Sequence, residues 1–153
     1  MKGFGQLDRP AHFLEKLRHD LGRVTCDPSD QYAAFDFFVT AEHMVDWVLP
    51  GLAQRQAQAR LRGSDPLLQV VSHIANGSKH FVAEARHHQH VQHVDAPPSA
   101  FQPSAFESSA FQTGALYVTL DGTSAQALGS QIEVTDLAKR VFRFWQAYVA
   151  AHP

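Results

Sequence analysis

Residues 31–49 read QYAAFDFFVTAEHMVDWVL, and this stretch decides the fold. It contains no proline or glycine, whereas turn-forming residues precede it and Pro50-Gly51 follows it, so one long helix is predicted. Large apolar side chains occur nearly all round that helix, which is typical of the central, most buried helix of a bundle. The polar residues that interrupt the pattern are therefore informative: Asp36, Thr40, Glu42, His43 and Asp46.

Helices are also predicted on both sides of this one in the sequence. Residues 8–21 place apolar side chains at helical spacing behind an Asp-Arg-Pro start signal, and Gly22 is expected to end that helix. Residues 52–61 are rich in helix formers but carry few large apolar groups, so we expect an exposed helix there. That region is also the most basic of the chain, since it holds Arg55, Arg60 and Arg62.

The next helix, predicted over residues 67–81, combines two stripes of side chains. Ser64 is expected to cap it, and Pro66 suits its first turn. One stripe is apolar and recurs at the spacing of a buried helix face. The other stripe is polar and consists of Gln69, His73, Asn76 and His80. A buried helix with a line of polar groups is the first place to expect functional chemistry.

After this helix the sequence changes character. Residues 87–113 join a histidine-rich tract to the repeat SAFQP, SAFES, SAFQT, and a long irregular loop is predicted. Two short β-branched segments then predict a hairpin over residues 115–134, and Thr135 can cap a last amphipathic helix. The expected architecture is a single domain over residues 1–153. It is mainly α, an antiparallel bundle of four to five helices with one β-hairpin inserted before the C-terminal helix.

The composition places few demands on partners. The chain has 153 residues, of which 44% are hydrophobic and 18% charged, which excludes wholesale disorder. A net charge of −2 gives no basic excess that would require nucleic acid. The lone Cys26 excludes an intramolecular disulfide and is typical of a reducing compartment. Neither a signal peptide nor a membrane-crossing run is evident, so a cytoplasmic protein with no membrane partner is expected.

A short motif lies at residues 76–80, where Asn76 is followed four residues later by His80. This spacing resembles the signature of HEPN domains, small helical bundles many of which cut RNA without a metal ion. In that signature an arginine precedes the asparagine, whereas Ala75 stands at its place here. The resemblance extends over residues 28–82 and the final helix. It implies an RNA- or nucleotide-binding domain, of the type found in toxin and phage-defence systems, that needs no cofactor.

The resemblance also implies roles for individual residues. His80 would act as acid or base on a ribose hydroxyl, with Asn76 beside it in the motif. A cation would stabilise the charge that develops at the reacting phosphate, and Lys79 is the candidate unless another arginine supplies it. Because Ala75 replaces the arginine, the protein is expected to be a degenerate member of the family, as a weak ribonuclease or as a binding domain without catalysis.

Two alternatives remain open. His43 and Asp46 lie one turn apart on the central helix, and with His73 they could bind a divalent metal ion. Alternatively, these groups form a buried hydrogen-bond network in a non-catalytic protein-interaction module, with another protein or a second copy of the chain as partner. The main hypothesis for the site is one polar cluster, open to solvent on one side, made of His43, Asp46, Asn76 and His80.

Overall fold

The computed structural model describes residues 4–79, 90–95 and 114–152. The helices in these ranges are α1 (Pro10–Cys26), α2 (Gln31–Val48), α3 (Arg55–Gly63), α4 (Pro66–Lys79), α5 (Gly122–Leu128) and α6 (Val134–Ala151), and a 3-10 turn (Leu52–Gln54) precedes α3. The strands are β1 (Val91–Asp95), β2 (Tyr117–Leu120) and β3 (Gln131–Glu133). The predicted fold class, a mainly α bundle with a β-hairpin inserted before the C-terminal helix, is confirmed, and the described ranges contain six α-helices where four to five were predicted. None of the described helices is long and apolar enough to cross a bilayer.

Helix α2 is the central helix, as the sequence predicts. It packs against α1, α4 and α6, and it holds eight buried residues against seven in α6. Its N-terminus is capped by Asp30, whose carboxylate accepts the N–H groups of Tyr32 and Ala33 at 2.9 and 3.0 Å. Phe35 departs from the all-round apolar prediction, because its ring is 48% exposed. The core therefore encloses Phe38 but not Phe35, while Ala33 and Ala34 in the first turns are buried.

Two helix boundaries differ from the sequence predictions. α1 does not end at Gly22 but continues to Cys26, and Val24 in that last turn is only 1% exposed. Burying an apolar side chain such as Val24 outweighs the cost of about 1 kcal/mol for a glycine inside a helix. At the start of α4 the cap is Asp65, which accepts the N–H of Leu67 at 2.8 Å. The Ser64 hydroxyl instead donates to the carbonyl of Leu61.

The sheet contains the predicted hairpin and one strand that was not predicted. Strands β2 and β3 pair antiparallel, with Val118 opposite Ile132, and helix α5 forms the connection between them. On the other side of β2, β1 pairs antiparallel, with Asp95 opposite Tyr117. The prediction of an irregular loop over 87–113 is thus wrong for residues 91–95. Histidine and glutamine conceal the strand in the sequence, and it forms because β2 offers it a paired edge. The SAF repeat lies outside the described residues.

Candidate functional site

The polar stripe of α4 serves two different purposes in the structure. Gln69 and Asn76 line a cleft beside the helix. His73 instead holds the start of β1, because its Nδ1 accepts the backbone N–H groups of His90 and Val91, both at 2.9 Å. His80 lies outside the described residues, as does the side chain of Lys79. Of the three residues predicted to act in catalysis, Asn76 is thus the one with a described side chain.

The described residues do not form the ligand set that the metal alternative requires. His43 is exposed on α2, and the side chain of Asp46 is 51% exposed. His73 is engaged with β1. Within residues 4–79, 90–95 and 114–152, no group of three or more His, Cys, Asp or Glu side chains could hold a metal ion. The structure therefore does not bring His43, Asp46 and His73 together, and of the described members of the predicted polar cluster Asn76 alone lines the cleft.

The cleft has a volume of about 710 Å³ and lies between α2, α3, α4 and the residue before β1. This volume is within the range of small-molecule sites, which spans roughly 300–1,000 Å³. Polar groups of several kinds face it: a carboxylate, a guanidinium, two amides, a hydroxyl and an imidazole. The lining residues are Glu42, Ala59, Arg62, Gly63, Gln69, Ser72, Asn76 and His90. Such a set can donate and accept several hydrogen bonds to one bound molecule.

An ion pair between Glu42 of α2 and Arg62 of α3 forms one wall of the cleft. Nε of Arg62 donates to Oε1 of Glu42 at 2.5 Å, and the two side chains are 13% and 26% exposed. Nη2 of Arg62 also lies 3.4 Å from Oδ1 of Asp46. Burial raises the pKa of Glu42, and the nearby charge of Asp46 adds to this, while the hydrogen bond and charge of Arg62 act in the opposite direction. Burial prevails, so a proton on Glu42 is held more firmly than on an ordinary glutamate.

Polar contacts at both ends, together with the half-buried Leu61, position α3 and its arginine. This helix has no fully buried residue. The side-chain amide of Gln58 donates to the carbonyl of Leu49 at 2.8 Å, which ties α3 to the end of α2. The amide of Gln69 donates to the carbonyl of Gly63 at 2.9 Å, which ties α4 to the end of α3. Arg62 is held between these two attachments and reaches Glu42 from there.

Two further lining residues are oriented by hydrogen bonds. The Nδ2 group of Asn76 donates to the backbone carbonyl of Ser72 at 2.7 Å. The side-chain oxygen of Asn76 accepts no hydrogen bond from the described residues. The Nδ1 of His90 lies 3.0 Å from the hydroxyl of the buried Ser124 on α5. With its backbone N–H bonded to His73, His90 is held at the cleft from both sides. An amide oxygen and a flat imidazole are thus available to a ligand.

Another carboxylate–cation group lies between α1 and α2. We call it the closed group because its carboxylate is buried. Asp20 of α1 is 1% exposed and accepts the hydroxyl of Thr40 of α2 at 2.7 Å. The ammonium group of Lys16 contacts the same carboxylate and donates to the Thr40 hydroxyl at 3.0 Å. None of these three residues lines the cleft. This group joins two helices, and its carboxylate is buried, while the Lys16 side chain is 37% exposed.

The sequence held a partial signal for the cleft. Glu42 belongs to the polar residues that interrupt the apolar pattern of α2, and Arg62 belongs to the basic region that follows. Their pairing over 20 positions, and the placement of His90 beside them, follow from tertiary structure alone. Comparison with protein-family models, curated proteins and solved structures finds no match for this chain, so the geometry of the cleft is what supports a function.

Proposed function

We propose that this protein binds a nucleotide or a short single-stranded RNA in the cleft between α2, α3 and α4. The observation that supports this most directly is that Arg62 and Asn76 line the same cleft. The asparagine is part of the segment that resembles the HEPN signature, whose arginine is absent. Ala75, at that arginine's position, is only 9% exposed, so a long cationic side chain there would have to be buried. Arg62 supplies a guanidinium near the asparagine from a neighbouring helix instead.

The guanidinium of Arg62 retains capacity for a phosphate group. Of its five N–H groups, one donates to Glu42, and Asp46 lies at 3.4 Å from another nitrogen. The remaining N–H groups have no partner among the described residues, and arginine binds phosphate oxygens with paired, charge-assisted hydrogen bonds. The side-chain oxygen of Asn76 and the ring of His90 are then available to the sugar or the base.

Metal-independent RNA cleavage is the finer form of the proposal. It requires His80 as acid or base on a ribose hydroxyl, with Arg62 as the cation that stabilises the developing charge on phosphorus. Helix α4 ends at Lys79, and His80 is the next residue in the sequence. We keep binding as the primary proposal, because it needs only groups that line the cleft.

The test is to measure the anisotropy of a fluorescently labelled single-stranded RNA with EDTA present. Arg62→Ala is expected to weaken binding about tenfold or more, since it removes a charge-assisted contact. The matched control is Arg60→Ala, which removes the same charge from the same helix but lies outside the cleft wall. Equal losses in the two variants would indicate nonspecific electrostatics and contradict the proposal. Cleavage of the same RNA in EDTA, by wild type against His80→Ala, tests the finer form.

A further inference from the structure

The charges around the cleft disfavour a bare phosphate as the ligand. Glu42 and Asp46 both approach the single guanidinium of Arg62, so the three side chains carry one net negative charge when all are ionised. A free phosphate would have to attract Arg62 against both carboxylates. A ligand that also offers N–H donors to a carboxylate avoids this conflict. The cleft therefore favours a molecule with two parts, an anion for Arg62 and a donor edge for Glu42.

Glu42 has unused capacity to accept hydrogen bonds. Its Oε1 accepts from Nε of Arg62, while Oε2 has no partner within the described ranges. An ionised carboxylate has about four acceptor positions and no donor. Its side chain is only 13% exposed, and burial disfavours the ionised form there. A bound ligand that donates N–H groups to this carboxylate would compensate for the water that burial has removed.

We propose that the cleft selects a guanine base, and that Glu42 reads its two neighbouring donors, the ring N1–H and the exocyclic amino group. This inference rests on the proposed nucleotide binding and adds the identity of the base. Guanine presents those two donors side by side, in the plane that matches the two oxygens of one carboxylate. Adenine places an acceptor at N1, which would face the carboxylate unfavourably. Single-stranded bases are read on this edge and stack on flat side chains, and His90 provides one at the cleft.

Calorimetric titration at neutral pH with EDTA tests the proposal using GMP, IMP, AMP and inorganic phosphate. GMP is expected to bind at least about tenfold more tightly than AMP, because AMP has a repelling acceptor in place of N1–H and also lacks the second donor, the 2-amino group. IMP, which keeps N1–H but lacks the amino group, is expected between them. Inorganic phosphate is expected to bind more weakly than any of the three nucleotides. The comparison of GMP with IMP needs no variant, so it is informative however the mutants fold.

The variants separate base reading from phosphate binding. Glu42→Gln is expected to reduce the GMP preference to near one, since glutamine presents one acceptor and one donor in place of two acceptors. Arg62→Ala is expected to weaken both GMP and AMP through the lost phosphate contact. It also removes the hydrogen bond that orients Glu42, so it should reduce their ratio, but less than Glu42→Gln does. Glu15→Gln is the control, an exposed glutamate of α1 away from the cleft. It is expected to leave both affinities at the wild-type values.

Three results would overturn the inference. If wild type binds GMP and AMP equally, or keeps its preference in Glu42→Gln, base selection by Glu42 is wrong, while binding that depends on Arg62 leaves the proposed function standing. If free arginine, which also carries paired N–H donors, competes more strongly than GMP, the cleft takes a cationic side chain instead. If neither nucleotide nor RNA binds at all, the proposed function and the guanine inference fail together.

Discussion

Among the described residues, helix α2 contributes to three carboxylate–cation groups. One is the half-exposed pair of Asp36 with Arg23, and the other two differ in what surrounds them. On the side of α1, Thr40 bonds to Asp20, whose side chain is 1% exposed, and Lys16 covers the same carboxylate. On the side of α3, Glu42 bonds to Arg62 at the wall of an open cleft. Both groups pair a carboxylate with a cation, but only the pair of Glu42 and Arg62 lies beside the cleft. The comparison indicates that the first group holds helices together, whereas the second lines a cleft.

The difference follows from the helix that faces α2 on each side. α1 buries Leu14, Leu17 and Val24, so apolar packing closes the contact around Asp20. α3 has no fully buried residue; Leu61 is its one large apolar side chain and packs, half-buried, against the core. Polar contacts attach both ends of the helix. An apolar face this small gives less drive to close tightly on a neighbour than the face of α1 does. The cleft is consistent with the composition of α3, which the sequence displays as arginine, glutamine and alanine with a single leucine.

The largest expected effect concerns the apolar core that both groups border. Phe38 of α2 is 2% exposed, so Phe38→Ala should lower the free energy of unfolding by about 3–5 kcal/mol. Phe35→Ala is the matched control on the same helix, because its ring is 48% exposed and should cost much less. Urea denaturation followed by circular dichroism measures both. Equal losses would show that enclosing the Phe38 ring adds no stability beyond that of the half-exposed Phe35 ring.

The closed group should matter for stability and not for binding. Asp20→Ala removes the partner of the Thr40 hydroxyl and of the Lys16 ammonium, which should cost about 2–4 kcal/mol. The value is below that of a fully bonded buried pair, since Oδ1 of Asp20 has no partner among the described residues. Glu15→Ala, on the exposed face of α1, should change stability by no more than about 0.5 kcal/mol.

Ligand affinity measures whether the closed group contributes to binding in the cleft. Asp20→Ala should leave the affinity for nucleotide or RNA unchanged under conditions where the variant is folded. A loss of affinity as large as that of Arg62→Ala would mean that the α1 side also supports the cleft, and the division between the two groups would be wrong.

Most of the fold could be predicted because its signals are local. Asp30 and Pro50 bound α2 in the sequence as they do in the structure, and the apolar repeat within it identifies the central helix. The prediction that Gly22 ends α1 is wrong, because the low helix propensity of glycine costs less than the burial of Val24 gains. Strand β1 was missed for the opposite reason, since its own sequence is a poor strand and pairing with β2 creates it.

The candidate site was less predictable, since its contacts join distant parts of the chain. Asn76 could be identified from its motif, and Glu42 from its position in an apolar helix. Nothing local indicates that Arg62 turns toward Glu42, or that His73 binds the backbone of residues 90 and 91 instead of facing the cleft. The sequence pattern places side chains on a helix face, and only packing decides which neighbour that face meets.

The smallest expected effect is a pH dependence that the cleft should show through Glu42. Burial raises the pKa of Glu42, so the folded chain binds this proton more firmly than the unfolded chain, where a glutamate has a pKa of about 4.3. The stability from this group is therefore fully present below about pH 4.3 and is lost as the pH rises through the higher pKa of the folded state.

The Glu42→Gln variant cannot ionise at this position, so its stability does not fall with pH for this reason. The stability of wild type relative to Glu42→Gln should thus decline as the pH rises above about 4.3, as measured by urea denaturation at several pH values. Glu15→Gln, on the exposed surface, should show no such trend. A difference that instead grows with pH would mean that the bond to Arg62 outweighs burial, and the wall of the cleft would then be as firmly paired as the closed group on the other side of α2.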